Sequence, residues 1–442
     1  MEVLEPVLPA ILSYVDFRTV LCAAAASRFS QLPSRCNQVW IQCCRERWRF
    51  GALFQVDSHA NPGARDEASM QLWQRSVAEY RDGVHHSDAF GFFLERSRKD
   101  AEVRRWLEAE DADKVDEILR LGANVLDVLL KLERCTDARL KGAAQNARIQ
   151  ITDAWAVERW THLIKIEPTK AATLEEGALI LSQWGYPTAD VSGMRLVLEK
   201  LAQRAQELGA RRSSTGLPSE DEAKAIIAAL NTALFAEYGL QGNAENYYDP
   251  ENSMLHAVLA RKKGIPISLS VVWAAVARRC GLECHPLADM PRHVLIRVPL
   301  RASDSVESAG PAVMRDLYID AFDGGKVLVW RELVRFLCAM LGARDVGVVA
   351  RQQIPVALKL KPETLQSDQT AEITPPAQLY FRMMRNLENI YQQSGDGVRL
   401  GGIQIQMLHV CTWCTYAIAM QCGVGPSRKL YHAGGMQMPF GC

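Results

Sequence analysis

Between residues 265 and 280 the chain is apolar on most sides. Leu269, Val271, Val272, Trp273, Ala275 and Val276 crowd a stretch in which only Ser268, Ser270 and the closing arginines are polar. A helix without a wet face belongs inside a core, so this segment reads as a central buried helix. Two runs follow, "HVLIRVPL" and "DLYIDAF", both rich in β-branched and aromatic residues and both ending in turn chemistry. They read as strands, with the polar stretch 301–312 as a surface loop between them. Strands packed on a buried helix make an α+β module.

Upstream the pattern has helical period. Residues 68–165 read as a series of helices, with Gly122 as a stop inside them. Within 173–210, Thr173 and Glu176 have the spacing of a capping box, Pro187 ends one helix, and Val191 and Ser192 open the next. The buried side of that second helix is assigned to Met194, Leu196, Leu198, Leu201 and Ala202. Asp249 followed by Pro250 pairs an N-cap with proline at the first helical position, which predicts one helix through "ENSMLHAVLARKKG". Beyond "NLENIYQQSGD" the tail shows little capping logic.

The first fifty residues predict three short helices. Val7, Leu8, Ile11, Leu12 and Val15 form one apolar face; Val20, Leu21, Ala24 and Ala25 a second; Val39, Trp40, Ile41 and Cys44 a third. Each buried Leu or Ile contributes about 1.5–3 kcal/mol, too little to offset the ordering of so many backbones. Such a unit gains by docking its remaining apolar residues on a partner. The chain thus divides into residues 1–50, a helical middle at 51–165, an α+β module at 166–358, a linker and helix at 359–394, and an atypical tail at 395–442.

Charge narrows the function classes. Lys plus Arg and Asp plus Glu balance at 51 each, so no overall field draws nucleic acid or anionic lipid. No stretch approaches 18 uninterrupted apolar residues, which predicts no membrane span. The apolar run at the N-terminus lacks a basic flank and contains Glu2 and Glu5, so it reads as an amphipathic helix, not a signal peptide. Twelve scattered cysteines without such a signal point to a reducing compartment, cytoplasmic or nuclear. Cys411 and Cys414, with His409 and Cys422 nearby, have the types of a zinc site but read more simply as thiols in an apolar helix. No cofactor or metal is expected.

The candidate chemistry gathers at the start of the central helix. A thiol enzyme needs a thiolate at a helix N-terminus, a histidine within reach and an acid orienting the histidine. His293 opens one predicted strand and Asp320 ends the next, so adjacent strands can join them. The thiol position holds Pro266, which has neither a nucleophile nor a backbone N–H. Ser268 is two positions further on, within the first turn, and reads as a cap; Cys280 and Cys284 lie at the far end of the helix, where its dipole disfavours a thiolate. Tyr247, Asp249, Asn252 and Arg292 complete the candidate pocket, with capping and turn chemistry as their other reading. His293 with Asp320 can equally be a pair that ties two strands together.

Two resemblances add to this. "PVLPAILSYVDFRTVLCAAAASRFSQLPSRCNQVWIQCCRERW" resembles an F-box. That implies docking on a Skp-type adaptor and, through it, a cullin, with Leu8, Ile11, Leu12, Val20, Leu21 and Trp40 as the interface and its support. "LEEGALILSQWGYP", "YYDPENSMLHAVLARKKGIPISLSVVWAAVARRCGL", "PRHVLIRV", "LYIDAFDGG" and "PPAQLYFRMMRNLENIY" resemble the SirB-type transglutaminase-like family. That implies a papain-like α+β fold with a small antiparallel sheet, in which Pro266, His293 and Asp320 occupy the triad positions. Taken together, the resemblances imply a ubiquitin-ligase subunit that grips a target protein with a degenerate transglutaminase-like domain and uses no nucleic acid. A hydrolase or acyl transferase using His293 and Asp320 with a non-cysteine nucleophile is the alternative.

Overall fold

The structure is a computed structural model that describes Arg47 and residues 89–109, 112–165, 174–211, 216–288, 290, 292–301, 315–342 and 376–421. The F-box-like residues Leu8, Ile11, Leu12, Val20, Leu21 and Trp40 lie outside them, as do Thr173 and Cys422. The chain divides into two compact units, one of residues 1–155 and 183–192, the other of 156–182 and 193–442.

The described part of the first unit is helical. It contains α1 (Ala89–Ala109), α2 (Ala112–Leu121), a 3-10 turn at Gly122–Val125, α3 (Leu126–Leu132) and the residues of α4 (Ala138–Lys165) up to Trp155. Gly122 stops α2 as predicted, with φ +56°, a conformation open to glycine at little cost. Val103, Leu107, Ile118, Leu126, Leu129 and Ile151 belong to its core.

The second unit carries α5 (Leu174–Gly185) up to Ser182, α6 (Val191–Glu207) from Gly193, α7 (Glu220–Asn231), a π-helical turn at Thr232–Glu237, strand β1 (Gln241–Gly242), a 3-10 turn at Pro250–Ser253, α8 (Leu255–Arg261), strand β2 (Lys263–Gly264) and α9 (Pro266–Arg279). Strands β3 (His285–Pro286), β4 (Ile296–Val298), β5 (Leu317–Asp320) and β6 (Lys326–Leu328) come next, then α10 (Trp330–Leu341), α11 (Pro376–Ser394) and α12 (Gly397–Gln421). The architecture is α+β and mostly helical, as the apolar pattern predicts.

Helix α9 is the buried centre: every residue from Pro266 to Ala277 is buried. The sheet is an antiparallel meander in the order β3-β4-β5-β6. Arg297 faces Tyr318, and Tyr318 faces Leu328, so these three share one side of the sheet. Ile296, Ile319 and Val327 share the other. Leu295, Tyr318 and Leu328 pack in one cluster with Leu333, Val334 and Leu337 of α10.

Several expectations change. Leu196 is half exposed, while Met194, Leu198, Leu201 and Ala202 are buried. Two residues rotate a helix by about 200°, which puts Leu196 on the face opposite Met194. The helix predicted from Pro250 is broken: Met254 has φ −96° and ψ 114°, so a 3-10 turn ends there and α8 starts afresh. Asp249 still caps the turn, accepting the Glu251 N–H at 2.9 Å. His293 precedes β4 instead of opening it. Residues 397–421 of the tail form α12, whose first turn is capped by Asp396 through the Arg399 N–H at 3.0 Å.

Helix α12 packs along α11. Gln406 on α12 accepts the indole N–H of Trp160 at 2.8 Å, and His409 bonds to Thr161. His409 is therefore engaged on α4. Among the described residues no group of three or more His, Cys, Asp or Glu side chains could hold a metal ion, and no helix is long and apolar enough to cross a membrane.

Candidate functional site

The site begins with the turn that closes β5. Asp320 is the last residue of that strand, and its Oδ1 accepts the N–H groups of Phe322 (3.0 Å) and Asp323 (3.3 Å). Gly325 returns its N–H to the Asp320 carbonyl at 2.9 Å with φ +77°. A Cβ at Gly325 would lie 2.1 Å from Oδ1 of Asn231, so the position requires glycine. Asn231 in turn donates to the Gly325 carbonyl (2.6 Å) and accepts the Trp273 indole N–H (3.0 Å). The central helix and the turn bearing Asp320 are thereby pinned to one amide.

His293 meets Asp320 there, Nε2 to Oδ1 at 2.9 Å. Oδ1 is already an acceptor for two backbone N–H groups, so the proton of this bond sits on Nε2. The other ring nitrogen, Nδ1, has no hydrogen-bond partner among the described residues. The ring stands edge-on to Phe322 (centroids 6.0 Å apart) and Phe336 (5.3 Å). The two polar side chains are 12% and 6% exposed, a nearly sealed pair.

The helix start is equally enclosed. Pro266 is its first residue and is buried. Ser268 is 2% exposed; its Oγ accepts the Ile265 N–H (3.1 Å) and donates to the carbonyl of Asn252 (2.6 Å). Both functions of the hydroxyl are engaged inside the protein. Gly264 makes room for it, since a Cβ there would come within 2.7 Å of Oγ.

The remaining pocket candidates sort into clasps and rims. Asn252 is fully buried; its Oδ1 accepts from Asn243 and Arg261, both at 3.0 Å, and its Nδ2 donates to the carbonyls of Asn246 (2.7 Å) and Tyr247 (3.2 Å). It fastens the loop before the 3-10 turn. Asp249 is that turn's cap and an ion-pair partner of Arg261 at 2.7 Å. Burial pushes the Tyr247 phenol up, and the charge of Arg382 opposes the effect. Arg292 is exposed, with φ +56° in the left-handed region, a conformation uncommon for a residue with a side chain. A cavity of about 330 Å³ lies apart from the dyad, framed by Tyr248, Pro250, Ile390, Tyr391, Asp396 and Arg399 among others.

Sequence reasoning missed Arg382, Phe336 and the buried pair Arg297–Asp316. No local signal marks them, because each meets its partner across 16 or more residues of chain.

The thiols are remote in chemistry. Burial pushes Cys280 and Cys284 up to about 11, so roughly one in several thousand is thiolate at pH 7.5. Their Sγ atoms contact the carbonyls of Ala202 (3.7 Å) and Ala274 (3.8 Å). Mass mapping after brief alkylation at pH 7.5 is expected to find both unmodified in the native chain and both modified in denaturant. Modification of either within seconds under native conditions would contradict their burial.

Residues 195–374 match the model of the transglutaminase-like superfamily. Human F-box only protein 21 is 27% identical over 197 residues, and the mouse protein 29%; each alignment spans 41% of this chain and 31% of that protein. The chain thus spans about a third of the length of these curated relatives. A UPF0162 protein of Xylella fastidiosa is 30% identical over 236 residues, 52% of this chain and 69% of the bacterial protein. No solved structure matches significantly.

Proposed function

The chain belongs to the UPF0162 family, with a transglutaminase-like domain, and from that premise we propose that the domain is catalytically degenerate and serves as the target-gripping part of a ubiquitin-ligase receptor. One observation carries the degenerate half of this reading: a buried proline stands at the helix start from which a thiolate would attack. Ser268 is locked in a cap, and the thiols at and beyond the far end of the helix are buried and protonated. The receptor half is supported by the F-box-like pattern of residues 6–48 and by the likeness to F-box only protein 21. In this reading Leu8, Ile11, Leu12, Val20, Leu21 and Trp40 dock on a Skp-type adaptor, a cullin joins through the adaptor, and ubiquitin transfer is the ligase's work. The location would be cytoplasmic or nuclear.

Adaptor capture by the full chain tests it. Leu12→Asp or Trp40→Ala is expected to reduce recovery of a Skp-type adaptor at least tenfold, while His293→Ala and Asp320→Asn leave it unchanged. Equal recovery across all four variants would remove the receptor reading.

The second reading is a hydrolase or acyl transferase with an external nucleophile such as water. It is favoured by the unpartnered Nδ1 of an imidazole that an acid already orients. A screen of ester, amide and peptide turnover is expected to stay at background. Turnover that disappears in His293→Ala would put this reading first.

A further inference from the structure

Arg382 lies on α11, beyond the residues that match the transglutaminase-like model. Its Nη1 donates to the carbonyls of Ala288 and Met290 (2.6 Å to the latter), and its Nη2 donates to the carbonyl of His293 at 2.7 Å. One planar guanidinium thus collects three carbonyls from the segment that carries the imidazole into place. That segment is the loop that joins β3 to β4, beyond the backbone bond from Leu287 N–H to the Leu295 carbonyl at 2.8 Å. It also contains Arg292 in its left-handed conformation. A strained bend persists only where surrounding contacts over-determine it.

Helix α11 is itself anchored. Tyr380, two residues before Arg382, packs its ring against Trp160 (centroids 5.2 Å apart). It also lies flat over Gly177, where a Cβ would come within 2.3 Å of the ring. Residues two apart point to opposite sides of a helix, so α11 is seated by Tyr380 on one side and grips the histidine loop with Arg382 on the other.

We infer that Arg382 is the positioning residue of the His293–Asp320 dyad, and that α11 is part of the site although it lies beyond residues 195–374. The guanidinium fork suits the task because it fixes three acceptors in one plane. A lysine ammonium carries the charge without the planar fork. The inference rests on this geometry alone and holds whether the domain grips or reacts.

The experiment is proton NMR of the full chain, following the His293 imidazole Nε2–H, with the Trp273 indole N–H as the reporter of an intact core. A proton held between imidazole and carboxylate is expected well downfield in the native protein, absent from His293→Gln. In Arg382→Ala it is expected to vanish while the Trp273 signal persists, and to reappear when guanidinium ion is added at millimolar concentration. If Arg382→Ala loses the Trp273 signal as well, Arg382→Lys is read instead. Its Nε2–H is then expected to exchange with water at least tenfold faster at an unchanged Trp273 shift. A native-intensity Nε2–H in Arg382→Ala, or a native exchange rate in Arg382→Lys, would overturn the inference. A merely structural role would lower the melting temperature and leave the dyad signal intact in whatever fraction is folded.

Discussion

Arg297→Met is expected to destabilise the second unit by about 3–5 kcal/mol, read as a shift of the urea midpoint with an unchanged slope. Arg297 sits in the middle of β4 and donates from Nε to Asp316 Oδ2 at 2.6 Å. The two side chains are 5% and 2% exposed. Asp316 also accepts the Leu300 N–H at 3.2 Å. Removing the guanidinium leaves a carboxyl in the interior with that backbone bond and the charge of Arg315.

The pH dependence follows from burial. Burial raises Asp316 above the usual carboxylate value, and the Arg297 charge works against that rise. A group raised in the folded state binds its proton more tightly there than in the unfolded chain. Its contribution is full below the unfolded value and is lost as pH climbs through the folded one. Without Arg297 the rise grows, so the loss in Arg297→Met should be largest near neutrality and shrink as pH falls toward the carboxylate range. The double variant Arg297→Met/Asp316→Leu is expected to recover most of the loss, because an ion pair replaced by packed apolar groups is often close to neutral. A single variant within about 1 kcal/mol of the parent, or a double variant no better than the single, would show that the pair is not the interaction that matters.

The sequence made the centre of the second unit legible and its fastenings illegible. The unbroken apolar character of residues 266–277 announced a helix with no wet face, and that helix is buried throughout. β-branched and aromatic content announced β4 and β5, and with them the meeting of His293 and Asp320. Strands β3 and β6, of two and three residues, are too short to show a period. Leu196 was misplaced because hydrophobicity alone was read where the angle around the helix decides. Asn252 stands open between a pocket and turn chemistry on its type alone, since an amide amid turn residues looks the same whether it waits for a ligand or is consumed by its own loop. Arg382 could not be found at all: its three acceptors lie 89 to 94 residues away. Periodicity tells which side of an element is buried, and it does not tell which distant carbonyl a half-buried cation meets.

Asn252 is the site's second large liability, and Asn252→Leu is expected to destabilise by about 3–5 kcal/mol. The side chain is fully buried and satisfied in all four directions, with Asn243 and Arg261 donating to it and the carbonyls of Asn246 and Tyr247 accepting from it. Leucine matches the volume and answers none of these groups. Each buried polar group left without a partner costs about 1–3 kcal/mol; Arg261 retains Asp249 and Glu251 and so loses least. Asn252→Asp separates donors from acceptors: it keeps the oxygen that faces Asn243 and Arg261 and loses both N–H bonds to the loop. It is expected to fall between the parent and Asn252→Leu. The Ser268 cap rests on the backbone carbonyl of Asn252, not on its amide, so the start of α9 should keep its hydrogen-exchange protection in both variants while residues 243–249 lose theirs. Loss of protection at both places would mean that loop and helix start open as one unit, and an Asn252→Leu midpoint equal to the parent's would mean that the amide fastens nothing.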